Sequence, residues 1–173
     1  MNNIPLIPKG IDHNREIERK FLVIASKLPD LTNNKYSVVE QAYLSTDPVV
    51  RVRICHNYQN TELINSESNI TIKGQGTISR DEFIFDIDLG KAMKLASLSK
   101  YNIIRKKRTY IPYEQDESLK WELDTFYGLH NGMMLVEIEI PDTTYELILP
   151  EWVGEEVTFD EKYQNQNIAS SGI

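Results

Sequence analysis

Apolar and polar residues alternate with a period of two along most of this chain, which is typical of β-strands that have two different faces. Val50, Val52 and Ile54, for example, alternate with Arg51 and Arg53. The pattern predicts strands at Glu16 to Val23, Val38 to Tyr43, Val49 to His56, Asn69 to Lys73, Arg80 to Leu89, Ile103 to Tyr113, Leu119 to Phe126 and Met133 to Ile140.

Helical spacing is confined to a few short segments. Asp88 is placed to cap a helix over Gly90 to Lys100, and Asp142 is placed to cap a second helix over Thr143 to Leu149. The segment after Asp160 is also predicted to be helical near its end. Many short antiparallel strands with few helices predict an α+β domain, built as either a closed barrel or a curved sheet.

Length and composition fit one domain. The 173 residues are 40% hydrophobic and 26% charged, which predicts a single domain over residues 15–173 after an N-terminal lead-in at 1–14. No apolar stretch approaches the ~20 residues that span a membrane, and the lead-in lacks the long apolar run of a secretory signal. The single cysteine, Cys55, suits a reducing cytoplasm.

Net charge narrows the class of ligand. A net charge of −7 argues against non-specific binding of nucleic acid, but it permits a small anion in a locally basic cleft. His13, His56 and His130 lack metal-ligand spacing, so we do not expect a zinc site. The oligomeric state is left open, with a homodimer as one option.

Pairs of charged residues recur on one face of the predicted strands. The pairs are Glu16 and Glu18 with Lys20 beyond them, Arg51 and Arg53, Arg80 and Glu82, Lys106 and Arg108, Glu122 and Asp124, and Glu137 and Glu139. Alternation places the members of a pair about 7 Å apart on the same face. For any one strand the simplest interpretation is a face in contact with water. Repeated like-charged pairs, however, cost stability unless opposite charges lie nearby, and a closed barrel would turn these faces inward to balance one another and a ligand.

This arrangement of charge favours a small molecule with several phosphates. Guanidinium groups bind phosphoryl oxygens bidentately, and neighbouring carboxylates suit a hard cation such as Mg²⁺ or Mn²⁺. Together they indicate metal-assisted phosphoryl or nucleotidyl transfer. The sequence contains no Walker A motif, no Gly-x-Ser-x-Gly motif and no sign of an activated cysteine, so nucleophilic catalysis is unsupported.

An ordered set of motifs resembles the CYTH superfamily, also called the triphosphate tunnel metalloenzymes. The motifs are Glu16-Ile17-Glu18-Arg19-Lys20-Phe21-Leu22-Val23, Gln41-Ala42-Tyr43-Leu44, Arg51-Val52-Arg53, Thr71-Ile72-Lys73-Gly74, Ser79-Arg80-Asp81-Glu82-Phe83, Lys106-Lys107-Arg108, Trp121-Glu122-Leu123-Asp124-Thr125-Phe126-Tyr127-Gly128, Leu135-Val136-Glu137-Ile138-Glu139, Trp152-Val153-Gly154-Glu155-Glu156-Val157-Thr158 and Lys162-Tyr163-Gln164-Asn165. Their order along the chain makes the resemblance specific, and the short form is most similar to the bacterial inorganic triphosphatases of this superfamily.

The resemblance implies an eight-stranded antiparallel β-barrel, or tunnel, with a charged interior, helices packed outside, and a triphosphate bound inside it with divalent metal. The implied substrate-binding residues are Lys20, Arg51, Arg53, Lys73, Arg80, Lys106 and Arg108. The implied metal ligands are Glu16, Glu18, Glu137 and Glu139, and the further acidic positions of the wall are Glu82, Glu122 and Asp124.

These expectations favour hydrolysis of inorganic triphosphate to pyrophosphate and phosphate. Glu82 or Glu137 would orient a water for in-line attack on the terminal phosphorus, with Lys20 as a further catalytic candidate. One residue departs from the pattern, because relatives of the triphosphatase type often carry a second carboxylate where this chain has Ile84. Asp86 lies one step further along the same face.

Three other functions stay open. A class IV adenylyl cyclase would make cyclic AMP from ATP, and a polyphosphate- or nucleotide-binding module would not catalyse a reaction. A thiamine-triphosphatase would need an aromatic mouth. Trp121 is a candidate for that mouth, although packing is the commoner role of a tryptophan. Arg105 and Lys107 are expected to face away from the site, because alternation sends only half of this basic run to each face.

Overall fold

The computed structural model describes residues 17–74 and 82–171, which form one antiparallel sheet and two α-helices. The strands are β1 (Ile17–Val23), β2 (Tyr36–Thr46), β3 (Val49–Gln59), β4 (Glu62–Lys73), β5 (Glu82–Asp86), β6 (Ile104–Pro112), β7 (Lys120–Tyr127), β8 (Met134–Ile140) and β9 (Val153–Glu156). The helices are α1 (Leu89–Ala96) and α2 (Asn165–Ser171). The prediction of an α+β domain dominated by antiparallel strands is confirmed.

The sheet is open, with nine strands in the described ranges, in the order β5-β4-β3-β2-β6-β7-β8-β1-β9. The prediction of a closed, eight-stranded barrel is therefore wrong in both number and closure. The ninth strand pairs with β1, where Phe21 lies opposite Glu156 and Val23 opposite Val153. Sequence alternation missed this strand because it has only four residues, including Gly154 and two glutamates.

Although it is open, the sheet curls so that strands β1 to β8 all contribute side chains to one internal cavity. Arg51 on β3, Glu82 on β5 and Glu137 on β8 all line it. The expectation that the charged faces turn inward is confirmed for these strands, and it does not require closure. A curled sheet can shield one face from bulk water while its edge strands stay unpaired with each other.

Each predicted strand overlaps an observed strand, although the strand predicted to run to Leu89 ends at Asp86. One predicted helix does not form. Helix α1 begins where expected, with the side chain of Asp88 accepting a hydrogen bond from the backbone N–H of Lys91 at 3.2 Å. The helix predicted over Thr143 to Leu149 is wrong. Asp142 instead accepts hydrogen bonds from the backbone N–H and the hydroxyl of Thr144, at 2.7 and 2.6 Å, which closes a local turn.

The main apolar core lies on the outer face of the curled sheet. Trp121 on β7 is at its centre, with ring centroids 5.9 Å from those of Phe21 and Tyr113 and 5.7 Å from that of Trp152. Trp121 is 1% exposed, so its role is packing and it does not contribute an aromatic mouth. Helix α1 covers another part of the outer face, where Ala92 packs with Val52 and Ile54.

The second helix packs differently from the prediction that helices lie outside the sheet. Ile168 and Ala169 of α2 pack with Ile104, Phe126 and Leu135, which share the cavity-facing sides of β6, β7 and β8 by alternation. Helix α2 therefore covers an apolar end of the inner face.

Among residues 17–74 and 82–171, neither helix has the length and apolar character that a membrane span requires.

Replacing Trp121 with alanine is expected to destabilise the protein by about 3–5 kcal/mol, because it leaves a large cavity at the centre of the outer core. Urea denaturation followed by circular dichroism measures this change. Leu98→Ala is the control, since Leu98 is 68% exposed and its truncation should cost less than about 0.5 kcal/mol. Equal losses for the two variants would contradict this assignment of the core.

Candidate active site

A cavity of about 310 Å³ opens inside the curl of the sheet. Charged residues dominate its wall: Glu18, Lys20, Arg51, Arg53, Lys73, Glu82, Arg108, Glu122, Glu137 and Glu139. All ten were predicted from the sequence as site residues. The structure thus brings together positions that are more than one hundred residues apart in the chain, since Glu18 and Glu139 are opposite one another in adjacent strands.

Arg51, Arg53 and Lys73 form a basic wall on β3 and β4. Arg51 donates a hydrogen bond from Nη2 to the hydroxyl of Thr71 at 3.1 Å. The Nε atoms of Arg51 and Arg53 are buried without a hydrogen-bond partner among the described residues. Buried, unpartnered donors on cationic groups favour an anion as the missing partner.

Glu82 on β5 lies within this basic wall. Its carboxylate accepts a hydrogen bond from Lys73 Nζ at 3.1 Å and lies 3.6 Å from Arg51 Nη2. Ile84 follows on the same face and also lines the cavity, with 56% of its surface exposed. An isoleucine therefore occupies the position at which the resemblance leads one to expect a carboxylate.

Arg108 on β6 faces a group of three carboxylates. Its Nε donates to Asp124 Oδ1 at 2.7 Å, its Nη2 donates to Asp124 Oδ2 at 2.6 Å and to Glu137 Oε2 at 2.5 Å, and its Nη1 donates to Glu122. Burial disfavours the charge of Arg108, but Asp124 and Glu137 outweigh it and raise the pKa well above its ordinary value. The guanidinium is therefore permanently charged and held by β7 and β8.

Glu137 links Arg108 to Lys20 on β1. Lys20 Nζ lies 2.9 Å from Glu137 Oε1 and 3.9 Å from Glu18 Oε1. Burial opposes ionisation of Glu137, but Lys20 and Arg108 hold its pKa well below the ordinary value. Glu137 is consequently an ionised counter-ion for two cations. The metal-ligand role that the resemblance implies for Glu137 remains a prediction.

Glu18 and Glu139 are the carboxylates best suited to a divalent cation. Burial and the charge of Glu137 raise the pKa of Glu18, while burial and the charge of Glu122 raise the pKa of Glu139. A cation beside them would favour the ionised forms of both carboxylates, whose oxygens are the ligands that Mg²⁺ and Mn²⁺ prefer. In residues 17–74 and 82–171, no group of three or more His, Cys, Asp or Glu side chains could hold a metal ion.

Two of the predicted site residues lie outside the described residues, and two others lie behind the cavity. The implied metal ligand Glu16 and the implied phosphate ligand Arg80 belong to the first group. Lys106 and Asp124, which are 0% and 1% exposed, form an ion pair that does not line the cavity. The structure therefore does not place Lys106 where it could contact a ligand in this cavity.

The wall also contains neutral polar residues that charge patterning did not identify: Gln41, Tyr43, Asn69, Thr71, Tyr110, Thr158, Gln164, Asn165 and Gln166. Six of them lie in quoted motifs, which was a signal for Gln41, Tyr43, Thr71, Thr158, Gln164 and Asn165. Gln166 had no such signal, because only tertiary folding brings the segment after β9 to β1. There the backbone N–H of Lys20 donates to the hydroxyl of Thr158 at 3.0 Å, and its Nζ donates to the carbonyl of Tyr163 at 3.2 Å.

Fold and cavity together define a small α+β protein whose internal site is lined by closely spaced cationic side chains and carboxylates. Sequence comparison relates this chain to known enzymes. The sequence is 31% identical to an inorganic triphosphatase of Acetivibrio thermocellus, over 91% of this chain and 94% of that relative. It is 36% identical to an inorganic triphosphatase of Nitrosomonas europaea, over 90% of this chain and 97% of the relative.

A solved structure shows the same similarity. The crystal structure of the inorganic triphosphatase NE1496 matches with a TM-score of 0.61 and 31% sequence identity, covering 90% of this chain and 95% of that one. No protein-family model matches the sequence. Identities above 30% over about nine-tenths of both chains show that this chain belongs to the family of inorganic triphosphatases, the short CYTH-type proteins that its motifs resemble.

Removing the charge of Glu137 is expected to destabilise the protein far more than breaking a surface ion pair. Glu137→Gln leaves Lys20 and Arg108 without a counter-ion and should cost about 3–5 kcal/mol at neutral pH. The matched control is Glu40→Gln, which removes an exposed partner 2.9 Å from Arg105 and should cost less than about 1 kcal/mol. Urea denaturation of the three proteins measures both losses.

The stabilisation of the folded protein by Glu137 is also expected to depend on pH. Because its folded-state pKa lies below the ordinary value of 4.5, its stabilisation is present above that value and is lost as the pH falls through the lowered pKa. The difference between wild type and Glu137→Gln should therefore shrink in acid. A difference that stays constant down to the acid limit of folding would contradict the ion-pair assignment.

Proposed function

We propose that this protein hydrolyses inorganic triphosphate to pyrophosphate and phosphate inside the cavity, with a divalent cation held by its carboxylates. The observation that carries the proposal is the cavity wall itself. Cationic side chains on β1, β3, β4 and β6 face carboxylates on β1, β5, β7 and β8 across one enclosed space. The relatives named inorganic triphosphatase support the choice of substrate.

Arg51, Arg53, Lys73 and Arg108 are proposed to bind the phosphates, together with Lys20. Guanidinium groups fit phosphoryl oxygens bidentately, and the unpartnered Nε donors of Arg51 and Arg53 provide hydrogen bonds for them. Arg51, Lys73, Arg108 and Lys20 are paired with neighbouring carboxylates before a ligand arrives. These four side chains therefore need little rearrangement to stabilise the charge of the leaving pyrophosphate. Arg80 keeps its predicted place in this set, outside the described residues.

Glu18 and Glu139 are proposed to hold the divalent cation, with the implied help of Glu16. Such a cation, when bound, neutralises phosphate charge and polarises the bond that breaks. The two carboxylates lie opposite one another in register on β1 and β8, and both have raised pKa values caused by burial and by other carboxylates. These observations fit a site that is completed by positive charge.

Glu82 is proposed to orient the attacking water. Of the two predicted candidates, Glu137 has both oxygens within hydrogen-bond distance of the cations Lys20 and Arg108, so we assign it the role of counter-ion. Glu82 lies among the proposed phosphate ligands, 3.1 Å from Lys73 Nζ and 3.6 Å from Arg51 Nη2. A water held by Glu82 would therefore lie beside the bound phosphates.

The proposed function is tested by measuring phosphate release from inorganic triphosphate, ATP and thiamine triphosphate, each with Mg²⁺, Mn²⁺ or EDTA. We expect release from inorganic triphosphate that requires metal and exceeds release from the other two substrates. Arg53→Ala and Glu18→Ala should abolish it without unfolding the protein. Arg105→Ala is the matched control, because Arg105 lies on the opposite face of β6 and pairs with Glu40; it should keep the wild-type rate.

Other outcomes of this assay would replace the proposal. Cyclic AMP formed from ATP would identify a cyclase, and preferential cleavage of thiamine triphosphate would identify a thiamine-triphosphatase. Tight binding of triphosphate without metal-dependent release would identify a binding module.

The role of Glu82 is tested by Glu82→Gln, which keeps the shape of the side chain and removes its charge. We expect kcat for triphosphate to fall by about 10²–10³-fold, as is usual for loss of a group that assists proton transfer, with a smaller change in KM. Steady-state kinetics with Mg²⁺ measure both parameters. An unchanged kcat for Glu82→Gln would remove Glu82 from the mechanism and return that role to Glu137.

A further inference from the structure

The inner faces of β6, β7 and β8 are arranged in three successive layers. Ile104, Phe126 and Leu135 form an apolar layer under α2. Two residues further along β6 and β7, Lys106 and Asp124 form a buried ion pair. Two residues beyond these, Arg108 and Glu122 line the cavity. Lys106 thus lies between the apolar end and the charged site.

Lys106 is linked to the site through its ion pair with Asp124. Its side chain is 0% exposed, its Nζ donates a hydrogen bond to Asp124 Oδ2, and the same atom lies 5.5 Å from the centroid of the Phe126 ring. It does not line the cavity. A ligand in the cavity therefore meets the charge of Lys106 through other residues and does not touch its ammonium group.

Asp124 shares its negative charge between Lys106 and Arg108. Its Oδ1 accepts from Arg108 Nε at 2.7 Å, and its Oδ2 accepts from Arg108 Nη2 at 2.6 Å as well as from Lys106. When Lys106 carries a proton, two cations balance this carboxylate. When Lys106 is neutral, Arg108 is the remaining cation bound to it, and its positive potential toward the cavity is reduced.

We propose that Lys106 is a positioning residue, which balances Asp124 from behind the cavity and so makes the Arg108 guanidinium available to triphosphate. The proposal rests on the function proposed above. It gives Lys106 a different role from the direct phosphate contact that the sequence predicted, and it makes triphosphate affinity depend on the charge of a group that the ligand never touches.

The electrostatic surroundings make this charge adjustable in an accessible pH range. Burial and the positive charge of Arg108 lower the pKa of Lys106 to about 8, against the opposing effects of Asp124 on β7 and Glu137 on β8. The aromatic ring of Phe126, over which Lys106 Nζ lies, does not titrate. Lys106 is thus expected to lose its proton within the range where the folded protein can be studied.

The test compares triphosphate binding by wild type and Lys106→Met across pH 6.5 to 9.5, using calorimetry in EDTA so that no hydrolysis occurs. Methionine keeps the length and apolar stem but is neutral at every pH. At the acid end we expect Lys106→Met to bind at least about fivefold more weakly than wild type, the lower range of coupling between sites. The ratio should approach one above pH 8, where wild-type Lys106 is also neutral.

Two further variants sharpen the comparison. Lys106→Arg keeps its charge throughout and should bind more tightly than wild type at the alkaline end. Lys107→Met is the matched control, because Lys107 points to the other face of β6, over the ring of Tyr36; its ratio to wild type should be one at every pH. Ratios between variants cancel the titration of triphosphate itself.

A ratio for Lys106→Met that is one at all pH values, or is lowered by a constant factor, would overturn the proposal and leave Lys106 a structural role. Wild type that fails to bind triphosphate would overturn the proposed function as well, so the two failures are distinguishable. If the variants do not fold, the ¹³Cε resonance of Lys106 can be titrated in the wild-type protein. Bound triphosphate must then raise the pKa of Lys106, by reciprocity; an unchanged or lowered value would overturn the proposal.

Discussion

The buried charge of Arg108 is the constraint on which the rest of the site depends. A guanidinium removed from water is costly unless carboxylates surround it, and here Asp124, Glu122 and Glu137 do so. These partners come from β7 and β8, and in the sheet Arg108 lies opposite Asp124, while Glu122 lies opposite Glu137. A shift of one residue in either register would turn the carboxylates to the outer face. The ion pairs and the strand register therefore require each other.

The network extends from Arg108 in two directions. Through Glu137 it reaches Lys20 and Glu18 on β1, and through Asp124 it reaches Lys106 beside the apolar end. The aromatic core lies on the other side of the sheet, where Trp121 packs among aromatic rings. This division leaves the inner face able to carry like charges close together, which would be unfavourable in a fold that depended on that face for its core.

Much of this architecture was readable from alternation along the chain. The charged pairs Arg51 and Arg53, and Glu137 and Glu139, were predicted to face one interior, and the structure places all four on the cavity wall. Closure of the sheet into a barrel was not predictable in the same way. Whether the edge strands meet depends on how strongly the sheet curls and on short segments such as β9, which carry no periodic signal.

The depth at which each side chain of the inner face is buried was also not predictable. Lys106 and Arg108 lie on the same face of β6 and carry the same charge. Only tertiary packing under α2 distinguishes them, because it buries Lys106 completely while Arg108 lines the cavity.

The most direct measurement of the central claim is a crystal structure of Glu82→Gln with inorganic triphosphate and Mn²⁺, whose anomalous signal locates the metal. Slow turnover by this variant should preserve the substrate. We expect triphosphate density in contact with Arg51, Arg53 and Arg108 inside the curl of the sheet, and an anomalous peak beside Glu18 and Glu139. Triphosphate bound outside the cavity, or metal bound away from both glutamates, would contradict the assignment of this cavity as the site of triphosphate hydrolysis.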